Sequence, residues 1–421
     1  MKREREARLV VRGGKKLLGD VTVHGAKNAV LPMLAAGMLS DEPVTLTDCP
    51  RITDVEDMAT MLGALGCAVT REGRSMTVCG GCLGSETPAE LAGVMRSSVF
   101  MLAPMLVRTG EARMHAPGGC RIGARPTDIH LDGLRRLGAK ISEEDGCIVC
   151  RADRLKGADI VLRYPSVGAT ENLLMAATAA EGRTRIIGAA REPEISSLAD
   201  LLRKMGAAVG GEGTPVLTVE GAGRLSGAVA APVPDRIVAA TVLTAVAVCG
   251  GKVALSGAQI GHLGAVLSRL LSGGTRLTEH GGVLIFESDG VPSPCRIETG
   301  PYPLFPTDMQ APLMAYMCFA RGTSSVRETV FESRFAHAAE LAKMGAEIGV
   351  AGSYAFVNGR GELKGARVHA PDLRGGAGLV IAALAAEGES VISGVGHIDR
   401  GYERIEELFS SLGADIVRTG E

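Results

Sequence analysis

Cys120 stands between Gly119 and Arg121, with Arg125 about one turn further on. A thiol beside guanidinium charge is biased toward thiolate, its reactive form. Cys249 and Cys318, by contrast, lie in apolar runs and suit the role of small buried hydrophobes. A second set of polar residues gathers where helices are expected to begin: Lys27-Asn28, Arg96, Ser166-Val167-Gly168, Asp235-Arg236, Asp308 and Asp372-Leu373-Arg374. A third set falls in turns after strands: Cys120 to Asp128, Glu192-Pro193-Glu194, Arg334 and Arg400. Taken singly, Asp, Ser and Asn at a helix start are ordinary N-caps. Arginine is electrostatically unsuited to that positive end, where unpaired NH groups bind anions. Repeated arginines there imply bound anions. The chemistry suggested is that of a reactive thiol working beside cationic anion-binding positions.

The elements that position these residues form an internal repeat, a pattern that must be found before any local assignment. A helix-ending phrase recurs as Leu65-Gly66-Cys67-Ala68-Val69, Leu137-Gly138-Ala139-Lys140-Ile141, Met205-Gly206-Ala207-Ala208-Val209, Met344-Gly345-Ala346-Glu347-Ile348 and Leu412-Gly413-Ala414-Asp415-Ile416. A degenerate copy near Leu271-Ser272-Gly273-Gly274 makes six units of about 70 residues. Upstream of each lies an Ala-rich helix that closes on Gly and feeds a β-branched strand, as in Ala180-Glu181-Gly182 before Thr184 to Ile187. Each unit reads strand, helix, strand, helix, then a short hairpin such as Ala68 to Thr70 with Met76 to Cys79.

Six units divide into two halves of three. The last unit ends before its hairpin is complete, while Leu9 to Arg12 and Val21 to Val23 are strands without a first helix. The N-terminal strands are therefore expected to complete the C-terminal half. The domains expected are residues 1–25 plus 234–421, and residues 26–233 carrying the Cys120 loop, with a linker at Ala231-Pro232-Val233-Pro234. If both halves turn their helix starts inward, the space between them is a cationic cleft.

Composition narrows the function. The chain has 421 residues, 46% of them hydrophobic, which is enough for more than one core. A net charge of -2 with both signs interspersed, and no basic run interleaved with aromatics, argues against a nucleic-acid partner. The longest apolar run, Ile237 to Gly251, falls short of the roughly 20 residues a membrane span needs and reads as a buried helix. Met1 to Arg12 is charged and lacks a signal-peptide core, so the cytoplasm is the expected location, with the ten cysteines reduced.

The run Pro117-Gly118-Gly119-Cys120-Arg121-Ile122-Gly123-Ala124-Arg125-Pro126-Thr127-Asp128-Ile129-His130 resembles the catalytic loop of UDP-N-acetylglucosamine 1-carboxyvinyltransferases, within the enolpyruvyl transferase family. Gly25 to Ala29, Met95 to Ser98, Ser166 to Asn172, Phe305 to Gln310 and His397 to Arg404 resemble further stretches of the same family, in order along essentially the whole chain. The resemblance implies an α/β fold, the inside-out α/β barrel, with two domains each of three repeated βαβαββ units. It implies transfer of the enolpyruvyl group of phosphoenolpyruvate to the 3-hydroxyl of UDP-N-acetylglucosamine with release of phosphate, the first committed step of peptidoglycan precursor synthesis. The route runs through a tetrahedral intermediate with no metal and no cofactor.

The same resemblance implies residue roles. Cys120 is the general acid at the methylene carbon, and Asp308 faces the sugar hydroxyl as base or orienter. Lys27, Arg125 and Arg400 clamp phosphoenolpyruvate, with Arg96, Arg334 and Arg374 in the same cluster. Arg125, Pro126, Thr127, Asp128 and Ile129 lie against the uracil, Ser166, Val167 and Gly168 hold the diphosphate, and Asn28 and Val330 contact the sugar. Thr127 stands where the family usually has Val or Ile, and Tyr164 where a Lys often binds diphosphate, with Arg163 the neighbouring cation.

Competing motifs are weaker. Cys79-Gly80-Gly81-Cys82 and Cys147-Ile148-Val149-Cys150 have zinc-like spacing, but residues i and i+3 of a strand point to opposite faces, so no metal is expected from them. Gly221-Ala222-Gly223 is an incomplete dinucleotide fingerprint. The alternatives to the main reading are a shikimate-pathway enolpyruvyl transferase, against which the Cys120 loop argues, and an inactive nucleotide-sugar-binding paralogue.

Overall fold

The computed structural model describes residues 7–81, 83–115, 127–271 and 274–420. Cys120, Arg125 and Pro126 lie outside them. The chain forms two compact units, one of residues 7–24 with 234–420 and the other drawn from 25–233.

The recurring Leu/Met-Gly phrase ends five helices in one way. In the helix Thr53–Ala64, Gly66 at φ 97° donates its NH to Gly63 while Cys67 donates to Leu62, both at 3.0 Å. This is the Schellman arrangement, which satisfies the last carbonyls and needs a left-handed residue that glycine adopts without strain. The same pair of bonds follows Asp128–Arg136, Pro193–Lys204, Ala336–Lys343 and Ile405–Ser411.

In the first unit the strand Arg8–Arg12 lies between Glu389–Ser393 and Asp415–Thr419, antiparallel to both, with Arg367–His369 at the edge. Leu17–Thr22 pairs in parallel with Gly251–Ser256, which continues into Val283–Ser288 and Thr275–His280. A third sheet orders Arg296–Glu298, Gly322–Arg327, Tyr354–Gly359 and Glu347–Ala351. Strands such as Val283–Ser288 alternate buried with part-exposed side chains, so each sheet has one packed face. Against those faces lie Arg236–Cys249, Gln310–Phe319 and Leu373–Ala385, helices apolar on nearly all sides and buried accordingly. The close approach of two of them depends on Gly378, where a Cβ would fall 2.8 Å from the Ala311 carbonyl oxygen.

The second unit repeats the plan. Its sheets order Ala228–Ala230, Val44–Leu46, Ser75–Cys79 and Ala68–Glu72, then Asp159–Val161, Arg183–Ile187, Val216–Glu220 and Ala208–Gly210. The remaining sheet has three described strands, Glu111–His115, Cys147–Arg151 and Lys140–Glu144, and its fourth place is taken by a single parallel bridge from Glu86 to Arg113. The buried helices here are Lys27–Ala36, Leu102–Thr109 and Val167–Ala177. No helix among the described residues is long and apolar enough to cross a membrane.

Candidate active site

In the unit formed by residues 7–24 and 234–420, Pro306 leads into the 3-10 turn Thr307–Met309, which opens the buried helix Gln310–Phe319. Asp308 does not serve as its cap. Its Oδ1 accepts from Nη2 of Arg334 at 2.8 Å, and its Oδ2 accepts from Nη2 of Arg374 at 2.9 Å. Both guanidinium side chains are about as buried as core leucines, at 5% and 3% exposure, while the Asp308 side chain keeps 24%. Burial alone would raise the Asp308 pKa, yet the charges of Arg374 and Arg334 and their hydrogen bonds outweigh it and hold the carboxyl well below the usual carboxylate range.

Glu328, itself buried, ties this carboxylate to the backbone around it. It accepts from the hydroxyls of Thr307 at 2.9 Å and Thr299 at 2.8 Å, and from the NH groups of Val330 at 2.8 Å and Phe331 at 3.2 Å. The Thr307 oxygen in turn accepts from Nη1 of Arg334 at 2.7 Å. Arg374 is set by Asp372, which caps its helix by accepting from the NH groups of Arg374 and Gly375. Its guanidinium lies 5.3 Å from the centre of the Tyr402 ring, whose hydroxyl meets Thr241 at 2.8 Å. Nε and Nη1 of Arg374, and Nε of Arg334, are buried with no hydrogen-bond partner among the described residues. A buried cation with unused donors is suited to receiving an anion.

In the other unit, Lys27 opens the helix Lys27–Ala36 and makes a buried 2.7 Å ion pair with Asp54. Arg96 opens the 3-10 helix Arg96–Met101, and burial lowers its pKa. Ser166 caps the helix Val167–Ala177 by accepting from the NH of Ala169, leaving the NH groups of Val167 and Gly168 at the half-buried positive end. Gly168 lies against His130, where a Cβ would come within 3.3 Å of the ring. The Nδ1 of His130 accepts from the side-chain amide of Asn172 at 2.9 Å, and Asn172 also donates to the Val99 carbonyl. Burial first, then the charge of Arg96, pushes His130 down to about 4, against an opposing pull from Asp128. The starts of the elements at residues 96, 128 and 167 are thus brought together around a neutral imidazole. His130 stands at the end of the Cys120 loop motif, yet nothing in the sequence alone gives it this place.

The model of the family described as EPSP synthase (3-phosphoshikimate 1-carboxyvinyltransferase) matches residues 11–409. The UDP-N-acetylglucosamine 1-carboxyvinyltransferase of Granulibacter bethesdensis is 47% identical over 416 residues, covering 98% of this chain and 99% of that one. The protein of the same name from Nitratidesulfovibrio vulgaris is 46% identical over 415 residues, covering 98% and 100%. This chain belongs to the UDP-N-acetylglucosamine 1-carboxyvinyltransferase family. Among solved structures, the enolpyruvyl transferase NikO from Streptomyces tendae superposes with a TM-score of 0.87 at 25% identity over 99% of each chain. An EPSP synthase from Acinetobacter baumannii gives 0.73 at 20% identity over 98% of this chain and 100% of that one, a likeness of fold. The chain therefore has the enolpyruvyl transferase fold.

Within this family member, the structure brings Asp308, Arg334 and Arg374 into one ion-paired group. Val330 contacts that group through its NH on Glu328. Arg400 is the half-buried C-cap of the short helix Val395–Asp399. Asn28 follows Lys27 on its helix. Thr127, Asp128 and Ile129 lie at the start of Asp128–Arg136, where Oδ1 of Asp128 accepts from the NH of Ile129 at 2.8 Å. Arg163 forms an ion pair with Asp128 and lies 3.6 Å from Asp132. Tyr164 is exposed. Sequence reasoning missed Glu328 and Asp54, and it placed Thr307 and Asn172 in family-like stretches without giving them a role. The role of each stays hidden in the local sequence, because each works through a partner far away in the chain.

Proposed function

We propose that this chain transfers the enolpyruvyl group of phosphoenolpyruvate to the 3-hydroxyl of UDP-N-acetylglucosamine with release of phosphate, in peptidoglycan precursor synthesis in the cytoplasm. The observation that carries this reading is the 46–47% identity to relatives of that name over 98% of the chain. On the same grounds we read each compact unit as one domain of an inside-out α/β barrel built from three repeated units, with helices inside and sheets outside.

The geometry sharpens the role of Asp308. A carboxylate whose pKa is held well below its ordinary value stays ionised and is a weak base. Each oxygen has one lone pair engaged by an arginine and another left to accept. Asp308 therefore orients the sugar hydroxyl by accepting its hydrogen bond. It gains basicity when an anion draws Arg334 toward itself through its unused Nε–H, or Arg374 through its unused Nε–H and Nη1–H groups. Cys120 is assigned proton delivery to the methylene carbon, Lys27, Arg125 and Arg400 the phosphoenolpyruvate, and the NH groups of Val167 and Gly168 the diphosphate.

Phosphate release from phosphoenolpyruvate tests the reading, with UDP-N-acetylglucosamine compared against shikimate 3-phosphate. Turnover is expected with the nucleotide sugar alone, and turnover with shikimate 3-phosphate, or with neither, would overturn it. Fosfomycin is expected to alkylate Cys120, and an adduct on another cysteine would remove that assignment.

A further inference from the structure

The hairpin that carries Cys147-Ile148-Val149-Cys150 separates its two thiols. Cys150 belongs to the hydrophobic core, and burial pushes its pKa up to about 11. Cys147 sits at the end of its strand directly across from His115. Its Sγ lies 3.3 Å from Nδ1 and 3.8 Å from Nε2 of that ring. On the other side of His115, Nε2 lies 3.1 Å from Oε1 of Glu86, which arrives on the single bridge that stands in for the sheet's fourth strand. The three ligand atoms all fall within 4.8 Å of one another, a juxtaposition met once among the described residues.

We propose that Glu86, His115 and Cys147 bind a thiophilic divalent cation of the zinc class. A thiolate, an imidazole and a carboxylate are the donors a borderline-soft ion selects, and three protein ligands with one open position make a four-coordinate site. With tetrahedral bonds of about 2.3 Å to sulfur and 2.0–2.1 Å to nitrogen and oxygen, sulfur and nitrogen should be about 3.5 Å apart and nitrogen and oxygen about 3.3 Å. The observed 3.8 and 3.1 Å to Nε2 are close to those separations, and the 3.3 Å contact of Sγ with Nδ1 opens as the imidazole turns to present Nε2 to the ion. Ligation releases the thiol proton of Cys147 to solvent and uses His115 neutral, with its proton on Nδ1.

The surroundings support those ligands. Oε2 of Glu86 is 3.4 Å from Nε of Arg113, which leaves Oε1 facing the imidazole. The NH of His115 donates to the Thr87 hydroxyl at 3.2 Å, which ties the strand end to the bridge. The Glu86 side chain is 51% exposed and that of His115 30%, which gives an ion an entry path and a solvent-facing fourth position. The strand pairing, not the spacing of the two cysteines, creates the site.

The test uses the full-length protein stripped of metal, titrated with zinc against a chromophoric chelator and, separately, loaded with cobalt. The parent and Cys150→Ala are expected to bind one zinc ion that Cys147→Ser and Glu86→Gln each lose or bind at least about tenfold more weakly. The cobalt form should show a thiolate-to-metal charge-transfer band that is absent from Cys147→Ser. Zinc binding unchanged in both ligand variants, equal loss in Cys150→Ala, or a thiolate band persisting in Cys147→Ser would overturn the proposal. Glu86→Gln lies on the surface and decides the matter even if Cys147→Ser folds poorly.

Discussion

Arg374 holds Oδ2 of Asp308 at 2.9 Å with a single nitrogen, leaving its buried Nε and Nη1 without a hydrogen-bond partner among the described residues. Arg334 approaches the other carboxylate oxygen and spends a second nitrogen on Thr307. The carboxylate is thus fixed from both sides, while both of its cations retain unused donors for a further anion, Arg374 two nitrogens and Arg334 its Nε. Burial acts against Arg374, but Asp308, Tyr402 and Asp235 keep its pKa raised, so the guanidinium stays charged.

Asp308→Asn keeps the shape and removes the charge. It leaves two buried guanidinium groups without their counterion, at a cost on the order of 3 kcal/mol. Enolpyruvyl transfer should fall at least about a hundredfold, since the neutral amide can neither orient nor accept as the carboxylate does. Phosphate-release kinetics together with thermal melting check both parts, and a variant with near-native turnover would contradict the role given to Asp308.

Glu328→Gln acts at one remove. An amide in place of the carboxylate must present an NH2 where Glu328 now accepts, so the bonds to Thr307, Val330 or Phe331 are disturbed. Misplacing Arg334 and Asp308 through Thr307 should lower kcat by roughly 10- to 100-fold. Circular dichroism should show the fold retained, and unchanged kcat would show that the network does not position the carboxylate.

The imidazoles of His130 and His337 are each pushed down to about 4, with burial the main cause, from an ordinary value near 6.5. Because the folded pKa lies below the unfolded one, the unfolded chain binds more protons between those values. Stability is therefore complete above about pH 6.5 and declines as pH falls toward 4, by up to about 1.4 kcal/mol per pH unit for each histidine. Urea midpoints measured from neutral to acid pH should show this slope, and His130→Gln should flatten it. An equal slope in the variant would remove His130 from the account.

Gly206 sits at φ 105°, and nothing lies within 4 Å of the place a Cβ would take. Gly206→Ala therefore tests backbone strain without a clash. The expected cost is about 1–2 kcal/mol with turnover unchanged. A neutral effect in denaturant titrations would mean that the helix end tolerates a Cβ, and the repeated glycine would need another explanation.

Much of the architecture was legible because it is written in short-range chemistry. Asp235, Asp372 and Ser166 were read as residues at helix starts, and each caps its helix within three residues of itself. The Leu/Met-Gly phrase marks helix ends because its hydrogen bonds close within the same turn. The apolar run beginning at Ile237 became the buried helix Arg236–Cys249 because a helix without a polar face has nowhere else to go. The charged residues of the candidate site were also visible as residues, through their family resemblance.

Their partners were not visible. Arg334 and Arg374 meet Asp308 across separations of 26 and 66 residues, and Glu328 reaches Thr307 across 21. Asp54 on its own reads as an ordinary helix-start carboxylate, yet it is the buried counterion of Lys27. Cys147 and His115 read as separate strand residues until antiparallel pairing set them face to face. By itself the sequence determined the caps, the helix ends and the family, all carried by neighbours or by residue identity. Only the tertiary structure decided which charge neutralises which, because that depends on how buried helices and strand registers bring distant side chains into a low-dielectric space where an unpaired ion is costly.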